Sequence, residues 1–390
     1  MSVNTMGIEQ AYLLIKELHE QATGQKLAAN VDATNFVSVA QATLQAGNEP
    51  VLNALSQVLT KSLIAVRGYN SKFGELEYTA DRWGGITRKI SFADTDAVLN
   101  VEFQLVDGNS VDQYTIKKPN VLETRYVGSD TWQGKYTIFQ DQLNTAFSGP
   151  QELANFMSGL MLHFDNEVTQ WLENMSRFLV SNLIGTLNLL GTGHVIHLLT
   201  EYNTATGLSL TATTVKQPAN YPAFIKWVYA RVEQIGRMMT ERSQLFQQVI
   251  TGKPIMRHTP VADQRVYLDA DALAHIRTEV LASTYNDGYL NIATTKEVNF
   301  WQNIQSPDSV MVKPTYIDAS GAVVSNATAQ TVNNIFGVIF DRDCIGYNVR
   351  EDNLEYSPYN ADGRYRNLFR HLNIQYCMDV TEKAVLLLMD

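Results

Sequence analysis

The chain has 390 residues, 45% hydrophobic and 18% charged, an ordinary globular balance with ample core material and a length that suggests two or three domains. Its formal net charge of −10 means that the surface as a whole repels nucleic acid and anionic membrane, so any contact with DNA has to be local. Two isolated cysteines, Cys344 and Cys377, argue against a disulfide framework or a cysteine metal site, and the lack of a basic leader or of an apolar run of about 18 residues argues against secretion and membrane spanning.

In chain order, residues 1–65 read as helical pieces. They are 8–22 with Tyr12, Leu13, Ile15 and Leu18, then 35–46, then 50–66 with Leu52, Leu55, Val58, Leu59, Leu63 and Ile64. Polar breaks at Gly24-Gln25-Lys26 and Gly47-Asn48-Glu49 separate them. They predict an extended arm, with a bundle packing on itself as the alternative. From 69 to 127 the period falls to two. Ile86, Ile90 and Phe92 alternate with Thr87, Lys89 and Ser91, and Val101, Phe103 and Leu105 alternate with Glu102 and Gln104. Asp94-Thr95-Asp96 between these runs reads as a turn, so a hairpin is expected; its polar faces and Gly84-Gly85 suggest that it projects from the body. Residues 111–127 add strand-like pieces, and 132–147 lead into the next element.

That element, 148–185, organises the chain. Leu153, Phe156, Met157, Leu160, Phe164, Val168, Trp171, Leu172, Met175, Phe178, Leu179 and Leu183 recur at three-and-four spacing, the stripe of an amphipathic helix. Ser148 with Gln151, and Pro150 in the first turn, mark its start, and Gly185 its expected end. A rod of roughly 50 Å has to be covered by elements far apart in sequence.

Beyond it, 208–215 is threonine-rich and strand-like, and 221–246 is a second helix with Phe224, Val228, Val232, Ile235, Met239 and Leu245 on one face. A short buried strand is expected at 266–268, a helix capped by Asp269 through Leu281, and strands at 310–317 and 335–340. Asp318-Ala319-Ser320-Gly321 is a turn. This alternation predicts a compact α+β domain over about 190–350. The closing strands, 368–379 and 384–389, are expected to return to an earlier sheet.

The search for chemistry yields no catalytic, cofactor or metal residue. Gly128 to Lys135 has one residue too many between its glycines for a nucleotide loop, and Tyr136 stands where a Ser or Thr would bind magnesium. His194 and His197 could share a metal, but only Glu201 neighbours them, and an ordinary loop pair is favoured. Asp341-Arg342-Asp343 followed by Gly346 resembles the opening of a calcium loop, yet Asp352 stands where the bidentate Glu belongs, and a turn is favoured. No Gly-x-Ser-x-Gly or His-Glu-x-x-His occurs. His163 reads as a satisfied buried or boundary histidine, and Arg364, Arg366 and Arg370 as solvated faces or subunit contacts before a phosphate site. The sequons at Asn174 and Asn326 are chance matches.

The order of a helical arm, a projecting hairpin, one very long helix, an α+β domain and a strand return resembles the major capsid proteins of tailed bacteriophages, with the fold often called the Hong Kong ninety-seven fold. The runs 132–160, Ile255-Met256-Arg257-His258-Thr259-Pro260 before Val266-Tyr267-Leu268, and Tyr365-Arg366-Asn367 to His371 leading to Met389 are similar to head proteins of phages of gut bacteria, many of them short-tailed. The resemblance implies an arm at 1–65, an extended loop at 66–128, a peripheral domain with a spine helix at 129–190 and 351–390, and an axial domain at 191–350. It also implies a non-enzymatic protein that assembles with copies of itself in pentamers and hexamers. The icosahedral or prolate shell would enclose double-stranded DNA without sequence-specific binding, with portal and scaffold or minor head proteins as partners and no membrane. Such a protein ends in the virion after assembly in the host cytoplasm. No cofactor is expected, and no marked lysine and asparagine pair points to a covalent cross-link. The alternatives are the shell of a bacterial nanocompartment and a soluble enzyme with a site between the two main lobes.

Overall fold

Two helices open the chain of the computed structural model, α1 (Ile8–Thr23) and α2 (Phe36–Gln45). The structure describes residues 8–27, 30–45, 51, 71–78, 86–95, 99, 103, 106–108, 114, 116, 118–140, 142, 147–278, 295–326 and 328–390. The α1 residues Ala11, Leu14, Ile15, Leu18 and His19 are buried, and so are Phe36, Ala40 and Thr43 of α2. Asp32 turns the chain between the helices, its Oδ1 accepting from Thr34 N (2.9 Å), Asn35 N (3.1 Å) and Thr34 Oγ1 (2.6 Å). His19 Nδ1 meets Thr43 Oγ1 at 2.9 Å, and since that hydroxyl already donates to Val39 O (2.7 Å), the imidazole is the donor. The expected extended arm is therefore corrected for residues 8–45. Helices of 16 and 10 residues are marginal alone in water, and their apolar stripes are covered only in a shared core. Leu13, expected on the buried face, is 69% exposed. Residues 52–66 of the third expected helix lie outside the described residues.

The chain divides into two compact units. The first comprises Met1–Trp83, Ser129–Met175 and Asn348–Gln375. Its core joins Leu14, Ile15, Leu18 and Phe36 to Leu153, Leu160 and Phe164 of the long helix, and to Ile138 and Leu368. A three-stranded sheet in the order β12 (Ile345–Tyr356), β13 (Tyr365–Met378), β3 (Asp130–Phe139) carries the last two. Strand β3 runs antiparallel to β13 from Tyr365↔Phe139 to Ile374↔Asp130, so residues expected only to lead into the long helix belong to a sheet.

The long helix α3 (Pro150–Leu190) has 41 residues, about 60 Å at 1.5 Å per residue. It stops at Gly191, which takes φ +66° while its N–H reaches Leu187 O at 3.0 Å. The expected stop, Gly185, lies inside the helix.

The second unit comprises Gly84–Gly128, Ser176–Tyr347 and Tyr376–Asp390. Its five-stranded sheet has the order β4 (Val195–His197), β14 (Ala384–Leu388), β11 (Ile335–Asp341), β5 (Gln264–Asp269), β6 (Thr295–Val298). The outer pairs, β4 with β14 and β5 with β6, are parallel and the inner ones antiparallel. Every residue of β11 and β14 is buried, which is why these strands run apolar without alternation until Asp341 ends β11. Residues 376–390, expected with the spine-helix domain, thus supply a central strand to this unit. Helices α4 (Leu198–Thr206), α6 (Tyr221–Thr240) and α7 (Ala270–Ile276) share a core with the sheet through Tyr202, Phe224, Val228, Ile235, Leu273, Ile339 and Leu387.

Local chemistry decides three further differences. The expected strand at 208–215 ends as a short helix, α5 (Ala212–Val215), because Thr211 and Thr214 form a reciprocal capping box. The helix at 221 ends at Thr240, where Glu241 turns extended, instead of at Phe246. Pro314 separates β7 (Val310–Val312) from β8 (Thr315–Ile317), which were expected as one strand. Asp269 caps α7 as expected, its carboxylate accepting from Ala272 N at 3.3 Å, while residues 279–281 of that expected helix lie outside the described residues. The turn at Asp318 is held by Oδ1 accepting from Ser320 N (2.8 Å) and Ala322 N (3.0 Å), and it leads into β9 (Val323–Ser325), after which β10 (Gln330–Val332) pairs with β7.

Candidate functional site

The groups weighed for chemistry are dispersed. His194 is buried with Nδ1 3.4 Å from Ala384 O, and burial pushes its pKa down. His197 is exposed and pairs through Nδ1 with Asp390 Oδ1 at 2.5 Å. Glu201 is taken by Arg231, which donates through Nε (2.8 Å) and Nη2 (3.0 Å). Each member of the considered metal set thus has a different partner. Among the described residues no cluster of three metal-ligating side chains occurs. His163 is exposed rather than buried, 3.2 Å from Glu167 and with its ring against Tyr136. Asp341, Arg342 and Asp343 form the turn from β11 into β12, where Asp343 N donates to Asp341 Oδ1 (2.8 Å) and Cys344 N to Asp341 O (2.9 Å). Arg366 is buried under the ring of Tyr356, Arg370 grips Asp352 with two bonds of 2.7 and 2.6 Å, and Arg364 is exposed; they form no common anion site. No described helix is long and apolar enough to cross a membrane.

The feature with an evident job is the ribbon of β1 (Ile86–Phe92) and β2 (Val121–Val127), paired antiparallel from Ile86↔Val127 to Phe92↔Val121. The expected partner of β1 was 101–105. Phe103 is 84% exposed and in no strand, and Val101 and Leu105 lie outside the described residues. Alternation marks a strand but carries no information about which strand it pairs with, because that depends on the length of the excursion between them.

The ribbon inverts the usual arrangement. In a two-stranded sheet paired residues share a face, so Ile90, Phe92, Val121 and Val127 lie on one side with Arg88, Glu123 and Arg125. That side faces solvent: Ile90 is 54%, Phe92 64% and Val127 69% exposed. The opposite side carries Thr87, Lys89 and Ser91 against Tyr126, Thr124 and Leu122, and it is the half-buried one. A hairpin that only covered its own unit would turn its apolar side inward.

Charge holds the inner side. Lys89 Nζ lies 2.7 Å from Asp379 Oδ2 and 2.5 Å from Glu382 Oε1, both in the turn between β13 and β14. Arg257 adds a contact of 3.4 Å from Nε to Glu382, while its Nη2 donates to Ser91 Oγ at 2.8 Å. The Asp379 side chain is 1% exposed. Burial alone would raise its pKa, but Lys89 overrides this and holds the carboxyl below the usual carboxylate range. For Lys89, burial pulls downward and the two carboxylates more than restore it, leaving the amine above its ordinary value. Nearby, burial and the carboxylates of Asp379, Asp341 and Glu382 push the Cys344 thiol up. Further along, Asp94 accepts from Met256 N (2.6 Å) and pairs with Arg242, its own N–H donates to Pro254 O (2.8 Å), and Lys253 Nζ donates to Val121 O (2.7 Å). The expected turn at Asp94 is therefore an anchor point, and the hairpin, expected to project, is tied down along one face. Sequence reasoning missed this group because Lys89 and Asp379 are 290 positions apart. A lysine on an alternating strand was the one local signal.

Comparison with known proteins supplies the context. The chain matches the family model described as Phi29-like phage major capsid protein over residues 13–388. It is similar to a chain of the capsid structure of Staphylococcus phage Andhra, at 12% identity and a TM-score of 0.54, over 84% of this chain and 86% of that one. It is also similar to a chain in the structure of the head fiber and inner core protein gp22 of native bacteriophage P68, at 10% identity and a TM-score of 0.55, over 83% and 86%. These two likenesses speak to the fold. No curated protein matches. With the family matched along nearly its whole length, the chain belongs to the Phi29-like phage major capsid proteins and is a structural shell protein of a phage head.

Proposed function

We propose that this chain assembles with copies of itself, in pentamers and hexamers, into an icosahedral or prolate shell around double-stranded DNA, and that the β1–β2 ribbon is the arm by which one copy holds the next. The observation that carries this reading is the outward apolar face of the ribbon. Ile90, Phe92 and Val121 form an apolar group at one end of the two-stranded element, separated from Val127 by the charged residues Arg88, Glu123 and Arg125, and a neighbour's surface covers it in the shell. Closed shells need heterologous contacts, and arms supply such surfaces without removing side chains from a subunit's own core.

In this reading residues 66–128 act as the extended loop, 129–190 and 351–375 as the peripheral domain, and 191–350 with 376–390 as the axial domain. Residues 1–65 act as the arm, with α1 and α2 folded against the peripheral core. An acidic balance suits a container whose lining lets condensed DNA slide. A portal and scaffold or minor head proteins complete the head, which is assembled in the host cytoplasm without a membrane.

The test is the triple variant Ile90→Ser, Phe92→Ser and Val121→Ser. Circular dichroism of the subunit is expected to match the parent, because these side chains are exposed and leave no hole. Electron microscopy of the expressed protein is expected to show no closed particles. Normal particles from the triple variant would remove the proposed role.

A further inference from the structure

We propose that the β1–β2 ribbon is a releasable strap, fastened to its own subunit by the clasp of its Lys89 on Asp379 and Glu382 and by the bond from Arg257 of the body to Ser91, and able to lift off while the rest of the fold stays intact. The proposal rests on the shell reading for its use, but its structural content does not.

The hydrogen bonds and ion pairs that fasten the ribbon surround a half-buried face that also carries Leu122 and Tyr126. From Thr87 to Phe92 and from Val121 to Val127 every residue is half-buried or exposed, so none of these side chains is locked inside the core. Lifting the ribbon breaks the pair of Lys89 contacts at 2.7 and 2.5 Å, the Arg257 bond to Ser91, and the Asp94 and Val121 anchors, among other contacts. The receiving carboxylates belong to the core rather than to the strap. Asp379 accepts from Thr381 N (2.9 Å) and Thr381 Oγ1 (2.6 Å), which fixes it in the turn between two core strands whether or not Lys89 is present. A clasp between a fixed socket and a removable lysine has two states, closed and open. A strip held by core packing has one. Arms in rings of five and of six meet their neighbours at different angles, and a strap attached by charge can reset its angle without repacking a core.

The experiment is hydrogen exchange on the full-length soluble subunit, followed for amides of Arg88 to Phe92 and Leu122 to Val127 against core amides of Val338 to Phe340. Lys89→Met is expected to raise exchange in the ribbon by roughly tenfold or more with the core amides unchanged, and Lys89→Arg to keep the parental pattern. Ribbon amides in Lys89→Met as protected as in the parent would overturn the proposal. If Lys89→Met unfolds the subunit, the decision passes to the triple variant Lys89→Met, Asp379→Asn and Glu382→Gln, which leaves no bare carboxylate. A loose ribbon on a protected core then supports the strap, and a protected ribbon overturns it. Exchange of the free subunit is independent of whether the ribbon contacts a neighbour, so failure here leaves the assembly reading standing, and failure to assemble leaves the strap standing.

Discussion

Gly185 lies so close to Val312 that a Cβ at position 185 would overlap the Val312 Cγ1 methyl. The glycine near the C-terminal end of α3 is there for contact with β7, where no larger residue fits. It costs the helix about 1 kcal/mol relative to alanine in propensity, and close packing is the compensation. Gly185→Ala is therefore expected to destabilise, by about 1–3 kcal/mol, despite alanine's better helix propensity. Combining it with Val312→Ala is expected to cost less than the sum of the single changes. Chemical denaturation of the four proteins of this cycle measures the coupling, and strict additivity would contradict the contact.

Leu160 is 3% exposed in the core shared with α1, α2 and β3. Leu160→Pro removes a helix hydrogen bond and clashes with the preceding turn, at about 3 kcal/mol or more. The subunit is expected to be insoluble, and a soluble subunit that still assembles would contradict the spine assignment of α3.

The clasp sets a pH window. The pKa of Asp379 is lowered in the fold, so its contribution is present above the unfolded value near 3.8 and is lost as pH falls through the lower folded one. Lys89 is raised, so its contribution is complete below about 10.5 and is lost only as pH rises through the higher folded value. Glu382, Arg257, Asp341 and Cys344 are the other titratable or charged groups around the pair. The difference in melting temperature between the parent and Asp379→Asn is expected to be constant from about pH 5 to 9 and to shrink in stronger acid. A difference that vanishes between pH 5 and 7 would contradict the lowered carboxyl.

Legibility in the sequence followed the range of the interactions. The stripe of α3 was readable because Leu153, Leu160, Phe164 and Leu183 obey a local period, and β11 and β14 because buried strands are continuously apolar. The end of α3 was misplaced because a glycine can mark a stop or a close approach, and only Val312, 127 positions away, distinguishes them (312 − 185). The strand β1 was readable and its partner was not, since Phe92 meets Val121 across an excursion that alternation does not encode. The clasp was invisible because ion pairs have no periodicity. Its outward consequence, the apolar residues Ile90 and Phe92 on a strand with polar neighbours, was in plain view.

The central claim is that the outward face of the ribbon is covered by another copy in the shell, and thiol labelling of the variant Phe92→Cys tests it most directly. Both native cysteines, Cys344 and Cys377, are buried, so the background in the folded protein is low. Phe92 is 64% exposed in the subunit, and the thiol introduced there is expected to react in unassembled protein at the rate of an open cysteine. In purified particles of the same variant it is expected to react at least roughly tenfold more slowly, because the neighbour excludes the reagent. Equal rates in subunit and particle would contradict the account.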